Sequence, residues 1–275
     1  MFTIEALLDS LTLEPTGTDR YEATNIPVPH GVVLGGQLLA QAAIAGAQGH
    51  DGMAVKTLHT VFARAAKPDL PVEIAVEPMQ SGRTFASSSV TISQGDRLCT
   101  RSVVLLSADE PDLIRHGAGP KRTSTPEDGT LYDSDGPWQV RVVGDVDVSD
   151  PEVVAPAELD VWTRFVGAPD DALVDQALVA FATDGFLIGT AMLPHAGVGQ
   201  AQAHRTLSTG VISHTITFHE PCPARDWTLL AHTSPYAGRG RCYGEGDVFR
   251  LDGQLAASFV QVGMIRPMPD RAGAL

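Results

Sequence analysis

The chain has 275 residues and a formal net charge of −14 at pH 7, with 43% hydrophobic and 19% charged residues. That length can bury one large core or two ordinary ones, and the acidic balance excludes nucleic acid and anionic membrane surfaces as partners, since both demand a basic face. Three scattered cysteines, Cys99, Cys222 and Cys242, form no C-x-x-C pair. They exclude a disulfide framework and a cysteine zinc site, and they fit a reducing, cytoplasmic setting.

In chain order, Ile4, Leu7, Leu8 and Leu11 recur at helical spacing and predict a short amphipathic helix rather than a signal peptide, because no basic residue precedes them. "DRYEATNIP" then reads as a strand. "GGQLLAQAAIAGAQ", Gly35 to Gln48, reads as a helix whose small residues permit close packing on a sheet. From Leu58 a block of four apolar–polar runs, punctuated by Pro and Gly, predicts consecutive antiparallel strands. "SQGDRL" inside it reads as a tight hairpin turn. The stretch from Ala108 to Pro137 is rich in Pro, Gly, Asp, Ser and Thr and reads as an exposed linker.

The pattern then repeats. "PWQVRVVGD" opens the second half as a strand. Asp170 and Asp171 offer N-caps to a helix over roughly Ala172 to Leu187, and a second four-run block begins at Ser213. His59-Thr60 recurs as His214-Thr215, and Gly82-Arg83 as Gly238-Arg239, at offsets of 155 and 156 residues. Strand, helix and strand block, given twice, predict two α+β units, each with one helix on a curled antiparallel sheet. The apolar stretch "LVAFATDGFLIGTAML" is shorter than a membrane span needs and carries an acid and two glycines, so it reads as a buried helix without stable membrane insertion.

Within that stretch Asp184 falls on or beside the apolar helix face defined by Leu173, Val174, Ala177, Leu178 and Phe181. It is either a solvated acid at a helix end, helped by Gly185, or a buried carboxylate with hydrogen-bond donors or a raised pKa. The first helix has no acid anywhere between Gly31 and His50. That asymmetry favours one active site per chain, supplied by the second half. Gln261 behaves alike: it lies on the face of Leu255, Ala257 and Phe259, where the first half offers Leu105 or Val104. Gly35 and Gly36 either let a substrate carbonyl reach a helix N-terminus or merely permit tight packing. His59 and His214, recurring together, read as structural. The histidines show no H-x-H or H-E-x-x-H spacing, so neither metal nor cofactor is implied.

"LGGQLLAQA" (34–42), "SGRTF" (81–85), "VWTR" (161–164), "ATDGFL" (182–187), "ISHTITFHEP" (212–221) and "SFVQVGMIR" (258–266) occur in an order and spacing that resembles the type II acyl-CoA thioesterases over nearly the whole chain. The resemblance implies a double hotdog, an α+β fold of two tandem units in which a central helix is wrapped by a curled antiparallel sheet. An N-terminal hotdog would span 1–107, a linker 108–137 and a C-terminal hotdog 138–275. It implies hydrolysis of fatty acyl-CoA to free fatty acid and coenzyme A. Asp184 is then the base and Gln261 fixes the attacking water, with Gly35 and Gly36 beside the thioester. The family's threonine stands three residues before the histidine marked here by His214, and that position is Val211. Ser213, and behind it Thr209, are the replacement hydroxyls. Loss of that threonine motivates the alternative of a non-catalytic acyl-CoA-binding protein. Unpaired sheet edges suggest a homo-oligomer.

Overall fold

The structure is a computed structural model and describes residues 2–28, 31–133, 136–144 and 146–268. The first half contains α1 (Ile4–Leu11), β1 (Glu14–Gly17), β2 (Arg20–Ala23), α2 (Gly35–Gly46), β3 (Met53–Phe62), β4 (Val72–Ser81), β5 (Phe85–Gln94) and β6 (Arg97–Ala108). The second contains β7 (Gly129–Asp133), β8 (Trp138–Val143), β9 (Glu158–Phe165), α3 (Ala172–Thr183), α4 (Leu187–Met192), β10 (Leu207–Phe218), β11 (Thr228–Gly238), β12 (Arg241–Arg250) and β13 (Leu255–Pro267). The thirteen strands of the described residues form one antiparallel sheet, in the order β1-β2-β4-β5-β6-β3-β10-β13-β12-β11-β9-β8-β7. The halves meet where β3 pairs with β10, from Thr57↔Thr217 to Val61↔Ser213.

Each predicted strand block is present, and its turns obey their local chemistry. Gly95 has φ +61° between β5 and β6, and Arg239 and Gly240 both have positive φ between β11 and β12, as a two-residue hairpin requires. α2 is buried from Gly36 to Gly46, and α3 is capped by Asp171, whose carboxylate accepts from the Leu173 and Val174 amides. The helices touch backbone to backbone: a Cβ on Gly36 would collide with the Phe181 carbonyl oxygen. At the other end of α2 a Cβ on Gly46 would collide with the Val104 side chain, so small residues set both packing distances.

Three expectations change. The linker is shorter than its composition suggests: β7 lies within it and pairs with β8, and Arg122 ties the preceding segment to Asp160 and Glu158. Turn-forming residues masked a short edge strand there. The strand equivalent to β2 is β9, next to β11, rather than β8. Finally, the second helix breaks at Asp184, and α4 begins three residues later. Ala172–Met192 is apolar enough to cross a membrane by length and composition, but most of it is buried within this fold.

The register also corrects the repeat. The β3–β6 ladder has a bulge between Val55 and Thr57, and the β10–β13 ladder has one between Val211 and Ser213. Aligning the bulges makes Leu58, not His59, the counterpart of His214. Leu58 pairs with Val104 as His214 pairs with Gln261. His59 is exposed while His214 is wholly buried, so the two imidazoles face opposite sides of the sheet.

Candidate active site

Beyond Val61 and Ser213 the strands β3 and β10 diverge, and a cavity of about 570 Å³ opens at the seam. Its walls include Leu34, Gly35 and Leu38 from the start of α2, Asp184 and Ile188 from the α3–α4 break, and Thr209 to Ile212 from β10. That volume suits a small-molecule site. Clefts of about 390 Å³ and 590 Å³ lie elsewhere on the second half, and Asp184 lines neither.

Asp184 ends α3, and its carboxylate lies against the first turn of α2. A Cβ on Gly35 would stand 2.7 Å from Asp184 Oδ2, so glycine is what makes room for the acid. No side chain of α2's own N-cap residue, Leu34, caps the helix. The Asp184 carboxylate stands there from the other half, where the nearby Gly36 amide favours its ionised form. Its Oδ1 is sealed from solvent and has no partner among the described residues. Burial pushes the carboxyl up to about 6, against the opposing pull of the Gly36 amide. A group poised there accepts a proton at neutral pH and can return it.

A buried chain of polar groups runs from the residue beside Asp184. The Thr183 hydroxyl donates to the Ala180 carbonyl at 2.9 Å and lies 3.0 Å from His214 Nε2. His214 Nδ1 lies 3.1 Å from Gln261 Oε1. The other amide atom of Gln261, Nε2, is buried without a partner among the described residues. Burial holds the His214 imidazole down at about 4, so it is neutral at pH 7. The corresponding residues of the first half are Gly46, Leu58 and Val104, which make no such chain.

Of the residues singled out in the sequence, Asp184 and Gly35 line the cavity together, and Gly36 supports them from behind. Gln261 is linked to this corner through His214 and Thr183. Ser213 is a correction: it lies past the bulge, opposite the exposed Val61, on the sheet face away from the helices, and it does not line the cavity. An ordinary two-residue step from Val211 would have kept it on the inner face, and the bulge turns it out. Thr209 is the β10 hydroxyl that does line the cavity, beside Val211. Thr183 and His214 were missed as parts of the site. Their signal was the polar character of both at positions where the first half is apolar, and it was hidden by the misaligned repeat of His59. Cys99, Cys222 and Cys242 are buried free thiols whose pKa values burial raises, which removes them as nucleophiles.

The comparisons agree with this architecture. Residues 24–107 match the family model described as the acyl-CoA thioesterase N-terminal domain, and residues 117–265 match the one described as its C-terminal domain. Human acyl-coenzyme A thioesterase 8 is 28% identical over 94% of this chain and 88% of its own length. Acyl-CoA thioesterase 2 of Haemophilus influenzae is 27% identical over 85% of this chain and 87% of its own. Among solved structures, a tesB protein of Mycobacterium avium subs paratuberculosis superposes with a TM-score of 0.82 at 25% identity, covering 96% of this chain and all of its own. A hot dog fold protein of Alicyclobacillus acidocaldarius superposes with a TM-score of 0.75. With both domain models matched in order along one double-hotdog sheet, the chain belongs to the acyl-CoA thioesterase family.

Proposed function

We propose that this thioesterase hydrolyses fatty acyl-CoA with Asp184 as the general base. The observation that carries the reading is the position of Asp184: a carboxylate with a raised pKa, in a cavity, against the N-terminus of a helix from the other half. Asp184 takes a proton from water as the water adds to the thioester carbon. Negative charge gathers on the carbonyl oxygen, where the Gly35 amide at the start of α2 is the donor and the helix dipole assists. The carbon–sulfur bond then breaks, and protonated Asp184 hands its proton to the departing thiolate. Water is consumed, and a carboxylic acid and coenzyme A leave. Gln261 orients the water. In this reading Thr209 supplies the hydroxyl that Val211 cannot. The apolar walls at Leu34, Leu38, Ile188, Val211, Ile212 and Met264 receive acyl chain.

The test is acyl-CoA hydrolysis across chain lengths by wild type and Asp184→Asn. The substitution is expected to lower kcat by about 10²- to 10⁴-fold while binding persists. The activity of wild type is expected to rise with pH through about 6, as the base ionises. Undiminished turnover by Asp184→Asn would overturn the assignment. Failure of wild type to hydrolyse any acyl-CoA that it binds would return the alternative of a binding protein.

A further inference from the structure

Proton counting along the buried chain fixes something that heavy-atom positions leave open, the direction in which the Gln261 amide faces. Thr183 has one hydroxyl proton. The Ala180 carbonyl, 2.9 Å away, can only accept, and the amide four residues on, that of Asp184, bonds instead to Phe181 and Ala182. The hydroxyl proton therefore belongs to Ala180, and Thr183 meets His214 Nε2 with a lone pair at 3.0 Å. That contact is a hydrogen bond only if Nε2 carries the ring proton. A neutral imidazole protonated there has a bare Nδ1, which accepts. The Gln261 atom 3.1 Å from Nδ1 must then be the amide's NH₂.

The opposite arrangement fails twice. With the Gln261 oxygen against a protonated Nδ1, Nε2 and Thr183 Oγ1 would face each other with lone pairs. An NH₂ group would also be buried with no acceptor. Turning the amide pairs Thr183, His214 and one Gln261 N–H donor to acceptor along the chain, and leaves the carbonyl oxygen and the second N–H outside it. The fold itself does not need the chain, since Gly46, Leu58 and Val104 occupy the same places in the first half.

We infer that Thr183 and His214 are positioning residues, which hold Gln261 with its NH₂ on His214 and its carbonyl oxygen free to accept. Under the proposed hydrolysis, the freed Gln261 Oε1 is an acceptor for one proton of the attacking water, as Asp184 is for the other, and the water's lone pair is left for the thioester carbon. This use of the free oxygen rests on the proposed hydrolysis, but the amide's direction does not.

Ring-¹⁵N histidine spectra of the whole protein at pH 7 decide the direction without turnover. His214, assigned by its loss in His214→Asn, is expected as the Nε2–H tautomer, and an Nδ1–H tautomer overturns the inference. In Gln261→Glu the partner has no NH₂, so His214 is expected to switch to Nδ1–H; retention of Nε2–H also overturns it. In kinetics, Thr183→Val is expected to lower kcat by about 10- to 100-fold with KM nearly unchanged, as a loosened positioning group does, and Thr183→Ser to restore it. Wild-type kcat in a folded Thr183→Val protein overturns the positioning role. A wild type without hydrolytic activity refutes the proposed function, while the tautomer still decides the amide.

Discussion

The chain has two seams between its halves, one at each end of the β3–β10 pairing, and they have diverged. At one end the backbone of Val55, at the bulge, is closed by the Gln176 side chain. Gln176 Oε1 accepts from the Val55 amide at 2.9 Å, and Nε2 donates to its carbonyl at 2.7 Å. Lys56 Nζ donates across the seam to the Phe218 carbonyl at 2.7 Å. At the other end the matching positions are Val211 at the bulge, Ile212 for Lys56, and Leu39 for Gln176, and the cavity opens there. Asp184 follows α3 where Ala47 follows α2. The same framework thus makes a plug at one seam and a cavity at the other. The difference lies in about half a dozen side chains rather than in topology.

The comparison can be broken most severely at Gly36. Its counterpart in α3 is Leu173, so a side chain is tolerated at the plugged seam, whereas at the open one a Cβ meets the Phe181 carbonyl. Gly36→Ala is expected to cost about 3 kcal/mol in urea unfolding, by overpacking, and to remove activity by pushing α2 away from Asp184. Next comes the stability cost of the acid. The folded pKa of Asp184 is about 6 and the ordinary value 3.8, so the native state binds its proton more tightly than the unfolded chain does. Stability from this group is full below about pH 4 and is lost as pH rises through about 6. Asp184→Asn is therefore expected to be more stable than wild type by about 2 kcal/mol at pH 8, with the gain vanishing near pH 4. Equal unfolding midpoints at both pH values would show that the carboxylate is well solvated.

At the plugged seam Gln176→Leu leaves the Val55 amide and carbonyl without their partner. It is expected to cost about 1 to 2 kcal/mol in stability with kcat unchanged, the inverse of what the same measurements give for Asp184→Asn. The smallest effect is at Val211. Val211→Thr restores a hydroxyl to the cavity wall and is expected to raise kcat by a few-fold, well under the factor of ten that about 1.4 kcal/mol represents. No rise, together with a fall in Thr209→Val, would assign the hydroxyl role to Thr209.

Much of this was legible in the residues. Periodicity and turn chemistry located the two strand blocks and both core helices, because one buried face and sharp Gly or Asp turns leave direct marks on the sequence. The asymmetry of Asp184 and Gln261 also needed no coordinates. What the sequence hid were offsets of a single residue. One bulged residue changes which side chains face inward, and nothing in "VISHT" announces a bulge. So Ser213 looked inward and His214 looked like the partner of His59, and both readings fail for that reason. β7 was hidden differently, since its short pairing on an exposed edge asks for no apolar pattern. The contact between Asp184 and the start of α2 joins residues about 150 positions apart and depends on helix packing, to which local pattern is blind.

The β3–β10 junction lies within one polypeptide, and this has a hereditary consequence. In a symmetric pair of identical subunits, a substitution written once appears at both junctions, so a residue that improves a reaction chamber is also forced into its mirror image. Here Leu58 and His214, or Ala47 and Asp184, are specified by separate codons. One junction was free to be filled for firmness with Gln176 and Lys56 while the other kept its acid and its opening. Carried on one chain, neither half is obliged to resemble the other.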